Sequence, residues 1–183
     1  RTSNGKGKIK NLKLEEVRSY DFGSWKNEAY KGEKIPTFEE FLCLVEELAL
    51  EPYIEIKAGN KKQIQSLVET VSAHGLSNKV TWISFSSESL RFVIQKAPEA
   101  RIGYLSSTLD NEAILTALSL RNGRNEVFLD ARTIDDVSIT KCQALGIPLE
   151  LWTIDDEETI ANLDSYISGV TSNKTIAKDH LFP

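Results

Sequence analysis

From Pro36 onward the chain alternates between two hydrophobic periods. Phe38, Phe41, Leu42, Val45 and Leu48 recur at helical spacing, and Thr37-Phe38-Glu39-Glu40 ahead of them is a capping box. Tyr53-Ile54-Glu55-Ile56-Lys57 then alternates residue by residue, as a strand does. Asn60 can cap the next helix, whose apolar stripe is Ile64, Leu67, Val68 and Val71 and which Gly75 ends. The pattern predicts a strand over 80–85 and a helix through Leu90, Val93 and Ile94 that Pro98 stops. Strand 101–105, helix 110–121 and strand 126–129 follow. Helix 134–145, opened by a capping box of Thr133 and Asp136 and closed by Gly146, leads to strand 149–153, helix 156–164, strand 168–171 and a terminal helix. Residues 1–36 are different: polar and glycine-bearing, with one short helix at Leu14-Glu15-Glu16-Val17 and the aromatics Tyr20, Phe22, Trp25 and Tyr30 in loop.

Strands separated by helices predict α/β architecture with a parallel sheet. No strand is followed by GxGxxG or GxxxxGK[ST], so neither nucleotide-binding fold has its signature. A doubly wound open sheet and a TIM (β/α)8 barrel both accommodate the order. The barrel fits better, with about six βα units present and the first two strands missing. The chain begins Arg1-Thr2-Ser3 and contains no methionine, which leads to the expectation that its natural start is absent. Residues 1–36 then read as an insertion or lid and 37–183 as units three to eight, within one domain overall.

The 183 residues suit one well-buried domain, and a formal charge of −5 with scattered basic residues argues against a nucleic-acid partner. No apolar run approaches the roughly 20 residues of a membrane span, so stable membrane insertion is not expected. No secretory signal is visible, but with the start in question the compartment stays open between cytoplasm and export. Cys43 and Cys142 fall in predicted helices without metal-ligand spacing and read as buried free thiols, with a disulfide as the alternative.

In a βα barrel, chemistry gathers at the C-terminal ends of the strands. Those ends carry Glu55 and Lys57, Ser84 and Phe85, Tyr104, Asp130, Trp152 and Thr153, and Thr171, Ser172 and Asn173. Glu55 and Lys57 share a strand face with Tyr53. They form either an ion pair on an exposed edge, worth at most about 1 kcal/mol, or the wall of a polar site. A carboxylate beside an amine suits an anionic substrate held through a hard cation such as Mg2+ or Ca2+. His74 ends a helix, on the face opposite the strand ends, and His180 lies in the tail, so neither is placed as a general acid or base. Ser84 has no base near it and is not expected to be a nucleophile.

Several of these stretches together resemble the glycerophosphodiester phosphodiesterases. Their third strand carries (I/V)EIK, which stands here as Ile54-Glu55-Ile56-Lys57. Further matches are Arg1-Thr2-Ser3-Asn4-Gly5-Lys6-Gly7, Gly32-Glu33-Lys34-Ile35-Pro36-Thr37-Phe38, Ser84-Phe85 and Trp152-Thr153-Ile154-Asp155, in order over nearly the whole chain. The resemblance implies a metal-dependent hydrolase that cleaves a glycerophosphodiester, its small-molecule substrate, into glycerol 3-phosphate and an alcohol. It makes Glu55 a ligand of a divalent metal, Mg2+ or Ca2+, and Lys57 a catalytic and substrate-binding contact to the phosphate. Phe85 and Trp152 would wall the glycerol side, and residues 1–36 would belong to the insertion after the second strand.

The chain departs from the family pattern in two ways. The histidines of the HRG and HD motifs and the acidic ligands of the second strand have no counterpart here and would precede Arg1. The last strand ends Thr171-Ser172-Asn173 where the family often has Thr-Asp. A non-catalytic barrel relative that binds a phosphorylated ligand, or serves as an interaction domain, is the competing reading.

Overall fold

The computed structural model describes residues 2–57, 59–121 and 127–175, which form two compact units divided after Leu48. The terminal helix expected beyond residue 175 lies outside the described residues, as does His180. In the first unit, helix α1 (Leu14–Ser19) forms at the one helical segment expected in the N-terminal stretch. Helix α2 (Phe38–Glu47) starts at the capping box seen in the sequence, with Thr37 and Glu40 bonded reciprocally. Arg18 of α1 grips Glu40 of α2 with hydrogen bonds of 2.7 and 2.8 Å to its two carboxylate oxygens. Between the helices, Asp21 organises the loop. Its carboxylate accepts the backbone N–H groups of Gly23, Ser24 and Gly32 and the Ser24 hydroxyl, and these bonds hold its pKa well below the usual carboxylate range.

The second unit is a six-stranded parallel sheet in sequential order: β1 (Tyr53–Glu55), β2 (Thr81–Ser84), β3 (Arg101–Ser106), β4 (Val127–Ala131), β5 (Leu149–Trp152) and β6 (Ile167–Thr171). Between them run α3 (Lys61–Ala73), α4 (Ser87–Lys96), α5 (Asn111–Leu120), α6 (Asp136–Leu145) and α7 (Glu157–Ala161). Neighbouring strands are about 4.8 Å apart, so a flat sheet would hold β1 and β5 roughly 19 Å from each other. Yet the Tyr53 hydroxyl of β1 donates to Glu150 Oε1 of β5 at 3.0 Å. The sheet is curled, and Tyr53, Glu55, Ile83, Gly103, Phe128, Asp130, Glu150 and Trp152 line its concave face by register. The convex face carries Ile54, Trp82, Ile102, Leu129, Leu149 and Leu151, all buried, with Leu90 and Val93 of α4 and Ala113, Ile114 and Ala117 of α5 completing the core. This is a half-barrel of βα units, the barrel alternative among the two architectures that the strand–helix alternation accommodates.

Three local expectations change. Cys43 is exposed while Cys142 is buried, and both are free: Cys43 falls between the buried positions Leu42 and Val45 of α2, on its outer side. Helix α6 is capped by Asp135, which accepts the Ser138 N–H at 2.7 Å, and not by a Thr133–Asp136 box. Thr133 instead donates to the Ser107 carbonyl. Strand β3 runs on to Ser106, so Tyr104 is not at a strand end, and it points to the convex side.

Candidate functional site

Glu55 is the last residue of β1, and Lys57 follows on the same side two residues later. Its Nζ lies 2.6 Å from Glu55 Oε2. The carboxylate side chain is 26% exposed and the lysine 78%, so the pair stands at an open mouth rather than in the core. The strand end is fixed beneath it. Ile56 N–H donates to the Ile83 carbonyl at 2.8 Å, and the Ser84 hydroxyl donates to the Ile56 carbonyl at 2.7 Å while accepting the Ser86 N–H. Ser84 is buried in this splice of β1 to β2 and has a structural role, as expected for a serine with no base nearby.

Phe85, just past β2, and Trp152, the last residue of β5, meet edge to face across the mouth, with ring centroids 5.5 Å apart at 86°. In a flat sheet these strand ends would be roughly 14 Å apart. The curl therefore joins two residues that the sequence put at separate strand ends. Trp152 is held by its Nε1–H, which donates to the Asp130 carbonyl at 3.1 Å, and the Arg132 guanidinium lies 5.6 Å from its ring centroid. Below, two buried acids sit side by side in register on β4 and β5, Asp130 and Glu150. Glu150 takes the Tyr53 hydroxyl and packs over Gly169, where a Cβ would come within 3.0 Å of its side chain. Asp130 Oδ1 has no hydrogen-bond partner among the described residues. Burial, then the neighbouring Glu150, raises the Asp130 pKa to about 7. Burial raises Glu150 too, and burial followed by Glu150 pushes the Tyr53 phenol up to about 12.

At the far side of the mouth, Asp155 ties the β5 and β6 ends together. It accepts the Ser172 hydroxyl at 2.9 Å, the Asn173 N–H at 2.6 Å and the Asn173 side-chain amide at 3.0 Å, which lower its pKa. Ser172 and Asn173 thus brace the rim. His74 caps α3 at the opposite end of the sheet, as expected. No cluster of three or more histidine, cysteine or acidic side chains suited to a metal occurs among the described residues. Sequence reasoning missed Arg132 and Glu150. Arg132 directly follows β4, next to an expected strand end, and Glu150 alternates in phase with Trp152, so both were open to the same positional reading.

A curled parallel sheet with helices on its convex face, and a charged mouth with an aromatic wall at the strand C-termini, defines a protein of the (β/α)-barrel class. Residues 1–175 match the model of the glycerophosphoryl diester phosphodiesterase family, and the chain belongs to that family of enzymes. It is 30% identical over 166 residues to a glycerophosphodiester phosphodiesterase of Caldanaerobacter subterraneus, covering 89% of this chain and 68% of that protein. A Bacillus subtilis glycerophosphodiester phosphodiesterase is 29% identical over 94% of this chain and 65% of its own length. The fold is also that of an Oleispira antarctica phosphodiesterase in complex with the product sn-glycerol-3-phosphate, with TM-score 0.79 and 22% identity over 94% of this chain and 71% of that one. A glycerophosphodiester phosphodiesterase from Agrobacterium tumefaciens matches with TM-score 0.71 and 20% identity, over 95% of this chain and 74% of its own.

Proposed function

We propose that the protein hydrolyses glycerophosphodiesters to glycerol 3-phosphate and an alcohol with the help of a divalent cation bound at Glu55. The observation that carries this reading is the Glu55–Lys57 pair at the end of β1 facing the Phe85–Trp152 wall, in a chain of this family. Glu55 fits a hard cation, Mg2+ or Ca2+. It is an oxygen donor at an open mouth, and Oε1 has no protein partner among the described residues. Mg2+ commonly takes one or two carboxylates and completes its shell with water and substrate phosphate oxygens, so a single chain carboxylate is a reasonable contribution. Such a cation would neutralise charge that develops on the phosphoryl oxygens.

Lys57 acts on the same phosphate. Its ammonium, anchored by Glu55 and otherwise exposed, is free to swing a donor onto a phosphoryl oxygen, where it is worth most as charge builds toward the transition state. Phe85 and Trp152 present apolar ring surface to the glycerol carbons and orient the diester over the charged pair. In the full-length protein, Glu55→Gln is expected to lower kcat/KM by at least about 100-fold and to abolish the response to added metal. Lys57→Ala should cost about 10- to 100-fold with little change in stability, since an exposed pair contributes at most about 1 kcal/mol. Glu55→Gln activity that matches the wild type and still responds to metal would remove Glu55 from this role.

A further inference from the structure

The first fourteen residues hold five basic side chains, Arg1, Lys6, Lys8, Lys10 and Lys13, and no acidic one. The whole chain has a formal charge of −5, so positive charge is gathered here against the general balance. Lys6, Lys8 and Lys10 are exposed, and their ammonium groups make no hydrogen bond or ion pair among the described residues. Two aliphatic side chains stand out among these lysines. Ile9, which opens a single 3-10 turn (Ile9–Asn11), is 64% exposed, and Leu14, the first residue of α1, is 59% exposed. Ile9 also borders a cavity of about 170 Å3 together with Lys6, Leu12, Val17, Tyr20 and Phe22. Phe22 is shared with a second cavity in the same unit, lined by Trp25, Lys26 and Tyr30, whose two rings are exposed as well.

We propose that residues 6–14 dock the protein on an anionic lipid surface, the lysines lying among the headgroups and Ile9 and Leu14 entering the acyl boundary. Lysines beside such a surface are attracted to it, and exposed aliphatic side chains add burial of apolar area. A chain of net charge −5 is repelled by an anionic bilayer unless its positive charge is segregated, as it is here. Exposed aliphatics occur singly on most protein surfaces, but these two are interleaved with unpaired ammonium groups. They also decide between polyanions. A nucleic-acid backbone would engage the lysines and offer Ile9 and Leu14 nothing, whereas a bilayer engages both. Trp25 and Tyr30 are amphipathic rings of the kind that settle at headgroup level. The contact is peripheral, since two aliphatic side chains and a short run of lysines reach only the headgroup and upper acyl region. The inference is independent of the hydrolase reading, whose residues Glu55, Lys57, Phe85 and Trp152 belong to the second unit.

The test is co-sedimentation of the full-length protein with vesicles of phosphatidylcholine alone, or of phosphatidylcholine mixed with phosphatidylglycerol, at low and high salt. Duplex DNA is the competing probe. The wild type should bind the mixed vesicles, more weakly by about tenfold or more at high salt, and should prefer them to the neutral vesicles and to DNA. Lys8→Gln, Lys10→Gln and Lys13→Gln together should weaken vesicle binding by about 100-fold, and the same three positions changed to Arg should bind as the wild type does. Ile9→Ser with Leu14→Ser should weaken it by about tenfold with the salt dependence kept. All these positions are exposed, so the variants are expected to fold, with an unchanged thermal midpoint as the check. Equal binding to both kinds of vesicle, binding to neither, or tighter binding to DNA that ignores Ile9→Ser and Leu14→Ser would each overturn the inference. The wild-type comparison of the three probes decides it even where a variant does not fold.

Discussion

The buried pair Asp130 and Glu150 sets an expectation at the residue scale that the exposed site does not. Asp130 has an ordinary pKa of 3.8 and one of about 7 in the fold, raised first by burial and then by Glu150. Between those values the folded state holds a proton that the unfolded state has released. Stability therefore falls as pH rises from about 4 to about 7 and levels off above, by a few kcal/mol. Asp21 and Asp155 shift the other way, and their contributions are already complete above the ordinary carboxylate range. Thermal melts of the full-length protein at pH 5 and pH 8 should show the lower midpoint at pH 8, and Asp130→Asn should remove most of that difference. Superimposable pH profiles for the two proteins would show that Asp130 is solvated in solution. The sequence places Asp130 at a strand end, but alternation along one strand does not say which residue of the next strand lies beside it. The pairing with Glu150 is a matter of register, which only the folded sheet sets.

The elements were the most legible level. Each capped helix start is a local competition between side chain and backbone, so Thr37 with Glu40 and Asn60 with Gln63 could be read directly. The α6 start was misassigned because Thr133, Asp135 and Asp136 all offer oxygens within four residues, and only the path of the chain leaving β4 decides which one reaches a helical N–H. Concave-face packing was not legible. Gly103 sits opposite Phe128, and a Cβ there would run into the Phe128 ring and approach Ile83 at 2.8 Å. Tyr53 packs on the same ring at 6.0 Å between centroids. Gly103→Ala is expected to destabilise the protein by about 1–3 kcal/mol, read as a lower urea midpoint with unchanged slope. An unaltered midpoint would mean that the ring moves aside without cost.

Across the whole molecule, six strands in sequential parallel order follow from hydrophobic periodicity, because each βα unit repeats the same burial problem. The curl does not follow from it, since an open doubly wound sheet would give the same alternation. Long-range contacts distinguish the two, above all Tyr53 with Glu150 and Phe85 with Trp152. They turn separate strand ends into one mouth, with the Glu55–Lys57 pair on β1 and Arg132 after β4. We propose that this mouth works on a glycerophosphodiester through a cation at Glu55. The most direct measurement is enzymatic detection of glycerol 3-phosphate released from glycerophosphodiesters by the full-length protein, before and after chelation and after Mg2+ or Ca2+ is restored. Release that stops on chelation and returns with the metal is the predicted result. Release that continues unchanged in chelator, or hydrolysis that leaves the phosphate on the alcohol, would contradict it.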